Sequence, residues 1–199
     1  SPWIHLSRAK LHFGAMKGGA ATPPQTILVT KSGTGTPAWS ATKDRDWITI
    51  FPAQGSGPGM IQVGVTPSGL DAGTYSGTLT IDSPNAANAP QSVEVMLSVY
   101  TEGAGSSPFG FLDTPLEGTA GVEGSIPVTG WALDDIEVAG VKIYRNPVSG
   151  EAAPPGGLVF IGDAVFVEGA RPDVEVKYPG HPLNARGGWG YMLLTNFLP

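Results

Sequence analysis

The chain is predicted to be all-β, folded as two tandem β-sandwich modules, and three observations carry that prediction. Its 199 residues include 29 Gly and 19 Pro, and these fall between short apolar runs as turn punctuation rather than replacing them. Many of those runs alternate apolar and polar residues with period two, the pattern of a strand with one buried face. Leu70-Asp71-Ala72-Gly73-Thr74-Tyr75 has the L-x-x-G-x-Y spacing of a corner whose tyrosine hydroxyl reaches back to the backbone and locks a late strand.

Taken in order, Trp3-Ile4-His5-Leu6 and Leu11-His12-Phe13 read as one first strand broken by a polar kink. Residues 25–30 are a Thr/Val/Ile run stopped by Ser32-Gly33-Thr34-Gly35, a turn. Residues 38–41 make a short strand, and Trp47-Ile48-Thr49-Ile50 alternates until Pro52 and the glycine-rich stretch 55–59 break the pattern. In 60–66, Ile61, Val63 and Val65 share one face while Met60, Gln62, Gly64 and Thr66 share the other, a half-buried strand. Residues 74–82 and 92–100 complete the set, the latter turning Val93, Val95, Leu97 and Val99 inward.

The motifs W-I-T-I-x-P-x-x-G from Trp47, Q-V-x-V-x-P-S-G-L-x-A-G-x-Y-S-G-x-L-x-I from Gln62 and P-Q-x-V-x-V-x-L-x-V from Pro90 closely resemble the BACON-like family of bacterial immunoglobulin-fold modules. The resemblance covers about the first hundred residues, an ordinary domain size. It implies an immunoglobulin-like sandwich over 1–101, of a kind found on secreted and surface proteins and proposed to bind carbohydrate. Residues 102–107, rich in Gly and Ser and without apolar periodicity, read as a short flexible linker.

The second module, 108–199, opens on Pro108-Phe109-Gly110-Phe111-Leu112-Asp113. Strands follow at 126–133, 138–145 and 158–167, and then Arg171-Pro172-Asp173-Val174, Tyr178-Pro179-Gly180 and Gly188-Trp189-Gly190-Tyr191. The Gly130-Trp131-Ala132-Leu133-Asp134-Asp135 string with Val138, Val141 and Ile143 is similar to a bacterial immunoglobulin-like repeat of large exported proteins. Two features depart from it. The hairpin after Arg145 carries an insert at 146–157, where two-residue turns are commoner. The strand candidates also number about five against the roughly seven of such a sandwich. The module is therefore expected to be truncated at its C-terminus, with 188–194 at or near an open edge. Such an edge invites self-association, because unpaired strand edges accept another strand.

Composition excludes several functions. Hydrophobic residues are 41% and charged residues 14%, with a net charge of −6, so disorder is excluded. Lys and Arg do not cluster, which removes nucleic acid as a partner. No apolar run approaches the roughly 18 residues of a transmembrane helix, so membrane insertion is not expected. Cysteine is absent, excluding thiol nucleophiles, thiolate metal sites and disulfide scaffolds. The wealth of Gly, Thr, Ser and Pro fits an extracellular, cell-surface or periplasmic β-module.

No enzyme signature is present. The string nearest to a nucleophile elbow, Gly73-Thr74-Tyr75-Ser76-Gly77, has its serine displaced by one position. His5, His12 and His181 stand without an H-E-x-x-H or similar ligand spacing. Asp134 and Asp135, at a strand end, are the candidate ligands for Ca²⁺, which favours clustered carboxylates; the competing reading is that they hydrogen-bond their own turn. Arg171 and Asp173 read as a structural pair, with Arg171 holding the loop through backbone carbonyls. Trp39, Trp47 and Trp131 sit in alternating apolar strands and read as core. Trp189 and Tyr191 share a face beside the turn Arg186-Gly187-Gly188 and are the candidate sugar platform.

These readings together predict a non-catalytic secreted or surface module for carbohydrate binding or adhesion within a larger exported bacterial protein. Polysaccharide or glycoprotein would be its partner, with no cofactor beyond Ca²⁺. A structural spacer or stalk is the alternative, and an accessory part of a glycan-active enzyme a remote one.

Overall fold

The computed structural model describes residues 1–152 and 154–199; position 153, inside the 146–157 insert, lies outside the described residues. The chain is nearly all β and divides into two compact units, Ser1–Ser106 with Asp135–Glu137, and Ser107–Asp134 with Val138–Pro199. Among the described residues no helix is long and apolar enough to cross a membrane.

The first unit contains β1 (Trp3–Leu6), β2 (Lys10–Met16), β3 (Gln25–Ser32), β4 (Ala38–Lys43), β5 (Ile48–Phe51), β6 (Gln54–Ser56), β7 (Gly59–Val65), β8 (Gly73–Asp82) and β9 (Gln91–Tyr100). One sheet has the order β1-β3-β7-β5 and the other β2-β9-β8-β4-β6. The inward residues of both form one core from Ile4, Phe13, Ile27, Ile61, Leu79, Val95, Leu97 and their neighbours, as period-two alternation on two facing sheets requires.

Two expectations change. The kinked first strand is two strands: β1 runs antiparallel to β3 in one sheet, whereas β2 runs parallel to β9 in the other. Ser7-Arg8-Ala9 carries the chain between the layers, so Ile4 and Phe13 enter the same core from opposite sides. The glycine-rich stretch after Pro52 also holds a strand, β6, paired with β4. There a Cβ at Gly55 would fall 2.3 Å from Cζ2 of the buried Trp39 ring, so only glycine lets the strand approach. The tyrosine corner forms as the sequence implies. Tyr75 donates its hydroxyl hydrogen to the Asp71 carbonyl at 2.9 Å, and its ring meets Trp47 edge-on.

The second unit contains β10 (Phe109–Thr114), β11 (Ser125–Leu133), β12 (Lys142–Arg145), β13 (Val159–Asp163), β14 (Val165–Phe166), the helix α1 (Pro172–Lys177) and β15 (Gly188–Leu194). A four-stranded sheet, β10-β11-β15-β14, stands against the hairpin β12-β13. β14 pairs only with Trp189 and Gly190, so among the described residues β15 has a strand partner on one side alone from Tyr191 to Leu194. A cleft of about 480 Å³ lies there, lined by residues that include Val159, Ile161, Tyr191 and Leu193.

The 146–157 insert is held by a fork. Arg145 donates to both carboxylate oxygens of Glu151 at 2.6 and 2.7 Å, and Glu151 also accepts the Val148 N–H. Helix α1 stands where a loop was expected. Pro172 opens it, Asp173 and Glu175 lie in its first turn and Lys177 in its last, an arrangement that complements the helix dipole.

Candidate functional site

The residues singled out from the sequence do not gather into one site. Trp189 is only 8% exposed, and its ring is pressed over Gly130, where a Cβ would fall 2.5 Å from Cζ2. Tyr191 lies on the same inner face, its ring against Gly162 and its hydroxyl 3.4 Å from the Ile161 carbonyl. The sugar platform proposed from their spacing is therefore corrected. Period two puts the pair on one face, but that face is turned toward the β12-β13 hairpin. Asp135 accepts the Ser106 backbone N–H at 2.6 Å, a partner 29 residues away in the chain and outside its own turn, and Asp134 lines a small cavity with Leu133 and Arg186. Among the described residues no group of three or more His, Cys, Asp or Glu converges as a metal site would.

Arg171 binds carboxylates rather than the backbone carbonyls expected of it. Its guanidinium donates to Asp173 at 2.8 and 2.6 Å and also to Asp113 on β10. The hydrogen bonds from Arg171, aided by its charge, lower the Asp173 carboxyl to about 2. His181 belongs to a cluster with Phe109, Trp131 and Tyr178, whose rings lie 5.2 to 5.7 Å apart and meet mostly edge-on; Phe109 stays exposed and the other three are half-buried.

An open aromatic face lies instead on the first unit. Strand register turns Trp3 and His5 of β1, Thr26, Leu28, Thr30 and Ser32 of β3, Met60 and Gln62 of β7, and Thr49 and Phe51 of β5 to the same outer side of the four-stranded sheet. Trp3 is 49% exposed, Leu28 44%, Met60 62% and Phe51 77%. Beneath them Ile4, Ile27, Val29, Ile48, Ile61 and Val63 are buried, so the carriers of this face are fixed by the core. His5 Nε2 lies 2.8 Å from Ser32 Oγ, which holds the imidazole in place. None of the outward positions is Lys, Arg, Asp or Glu, whereas the opposite sheet bears the Lys10–Glu94 ion pair and Asp82 on its outer side.

Residues 4–94, spanning this sandwich, match the family model described as the viral BACON domain. The first unit is a BACON-like module. No curated protein matches the chain. Among solved structures, the chain is 19% identical to the GH5 xyloglucanase of Bacteroides ovatus in complex with a XXXG heptasaccharide, covering 50% of this chain but 19% of that one, at a TM-score of 0.40. The periplasmic chaperone SfaE is 9% identical over 81% of this chain and 89% of its own, at 0.38. A Porphyromonas gingivalis protein of unknown function is 13% identical over 95% of this chain and 81% of its own, at 0.37.

Sequence reasoning passed over the outer face of the BACON-like unit. The signals were present one strand at a time: Met60 on the polar side of its strand, Phe51 out of phase with Ile48 and Ile50, and Trp3 out of phase with Ile4. Only the long-range register of β1, β3, β7 and β5 brings them together. Chemically, the face offers ring surfaces for stacking, hydroxyl, amide and imidazole groups for hydrogen bonds, and no fixed charge.

Proposed function

We propose that the BACON-like unit is a non-catalytic carbohydrate-binding module and that sugar lies on the outer face of its β1-β3-β7-β5 sheet. The observation that carries this reading is Trp3 and Phe51, with Leu28 and Met60, exposed among Thr, Ser, Gln and His side chains on one uncharged face. A pyranose ring has a C–H face that packs on an aromatic ring and a rim of hydroxyls that exchange hydrogen bonds with groups of those kinds. Catalysis would need a nucleophile beside a base or a facing pair of carboxylates, and the forks of Arg145 and Arg171 occupy Glu151, Asp113 and Asp173 in structural pairs. The module serves adhesion or glycan attachment within a larger exported protein.

The test is retention of the full chain on immobilised polysaccharides. Trp3→Ala with Phe51→Ala should abolish retention while leaving the melting curve in place, since both side chains lie outside the core. Retention unchanged in that double variant would remove this face as the sugar site.

A further inference from the structure

We infer that this face takes a long, uncharged glycan laid diagonally across the strands, along the interior of the sugar chain, and not a mono- or disaccharide. The inference rests on reading the face as a sugar site. Its first support is the distance between the rings. Trp3 stands opposite Ser32, while Phe51 stands opposite Gln62, which stands opposite Thr26. From Thr26 to Ser32 the strand advances about 20 Å, and from β1 to β5 the sheet is about 14 Å wide, so the rings sit about 25 Å apart on the diagonal. One or two sugar units cannot reach both.

The second support is what fills the diagonal. Between the rings lie the opposed pair His5 and Thr30, then the opposed pair Leu28 and Met60. Polar and apolar side chains thus both lie along the path, and each unit of a sugar chain presents both a C–H face and a rim of hydroxyls to meet them.

The third support is charge. A carboxylate or sulfate on the sugar would be desolvated here without a counter-charge, because no outward residue of this sheet carries one. A protein partner fits less well. Stable protein interfaces have a contiguous apolar core, and on this face Leu28 and Met60 are the sole directly paired large apolar side chains.

The experiment is calorimetric titration of the full chain with neutral glucan, mannan, xylan and galactan series, from disaccharide to octasaccharide and polymer, and with anionic polygalacturonate. For at least one neutral series, affinity should rise about a hundredfold from disaccharide to hexasaccharide. Trp3→Ala and Phe51→Ala should each lower hexasaccharide affinity about tenfold, the effect of losing an interface anchor. Added salt should leave that affinity unchanged, since no charges are there to screen. A disaccharide bound as tightly as the polymer, with only one ring mattering, would overturn the extended chain but keep the sugar site. Preference for polygalacturonate with strong salt dependence would overturn the uncharged ligand. No binding to any glycan would overturn the sugar reading itself, as would variants that change only self-association in sedimentation, which would assign the face to a protein partner.

Discussion

In the first unit a five-stranded sheet faces a four-stranded one, and residues from Ile4 to Val99 close into one buried cluster. In the second, a two-stranded hairpin stands against a four-stranded sheet, and among the described residues only Val128, Leu133, Val174, Pro182, Ala185 and Trp189 are buried apolar side chains. Both halves of the sequence contain apolar runs, so composition does not make the difference. A strand's apolar face is buried only where a second layer stands over it. Here Phe111, Leu112, Val165, Met192, Leu194 and Phe197 stay exposed. The contrast also sharpens the candidate site. In the second unit exposed apolar groups occur on several elements. In the first, Trp3, Leu28, Phe51 and Met60 are the large ones, and all four lie on one outer face of a unit whose core is already filled.

The largest effect that tests this contrast comes from matched core truncations. Leu79 is fully buried among Ile81, Val93 and Val95 in the first unit, and Leu133 is 2% exposed in the second. Leu79→Ala should cost about 4 kcal/mol and Leu133→Ala about 2 kcal/mol, because neighbours with open space around them can relax into the cavity while a filled core cannot. Amide hydrogen exchange read separately for β8-β9 and β11-β15 measures each cost in its own unit. Equal costs would mean that the second unit packs as tightly as the first.

Local chemistry was the legible part of this fold. The alternation at Val93, Val95, Leu97 and Val99 named a buried strand face correctly, and the Leu70-to-Tyr75 spacing named a hydrogen bond that is present. What could not be read was which layer covers which face. Trp189 and Tyr191 share a side, as their spacing implies, yet nothing local says that the side is buried against Gly130 and Gly162. Trp3, Phe51 and Met60 lie on three strands, and the pairing that unites them depends on contacts between residues far apart in sequence. The split of the first strand is a failure of the same kind, since a polar kink looks alike whether the chain stays in its sheet or crosses to the other. Helix α1 is different: Pro172 followed by Asp173 and Glu175 was a readable start signal, outweighed by the β-rich context.

The tyrosine corner gives a smaller effect confined to the first unit. Tyr75→Phe removes the 2.9 Å bond to the Asp71 carbonyl but keeps the ring against Trp47. The loss should be about 1 kcal/mol, the net value of one such bond, seen as a lower denaturation midpoint with an unchanged slope. Exchange should quicken around β8 and leave β11 and β15 as they were. An unchanged midpoint would mean that the corner contributes nothing beyond its ring contact.

Acid should separate the units most gently of all. In the second unit, the Arg145 fork and the Val148 N–H lower the Glu151 carboxyl from 4.5 to about 2, and Arg171 lowers Asp173 from 3.8 to about 2. Both folded values are depressed. The unfolded chain therefore takes up these protons first as pH falls, and the stability that both pairs supply above the ordinary carboxylate range disappears as pH drops toward 2. In the first unit Lys17 lowers Asp71, but that pair sits at the rim, with the Asp71 side chain 88% exposed, where water and salt weaken it. Between about pH 4 and pH 2, exchange should therefore rise at the base of the 146–157 insert and along α1 before it rises in β8 and β9. Arg145→Met should remove the insert's share of that pH dependence and leave the share of α1 in place. A simultaneous rise in both units would show that general charge repulsion, rather than these two forks, governs the acid response.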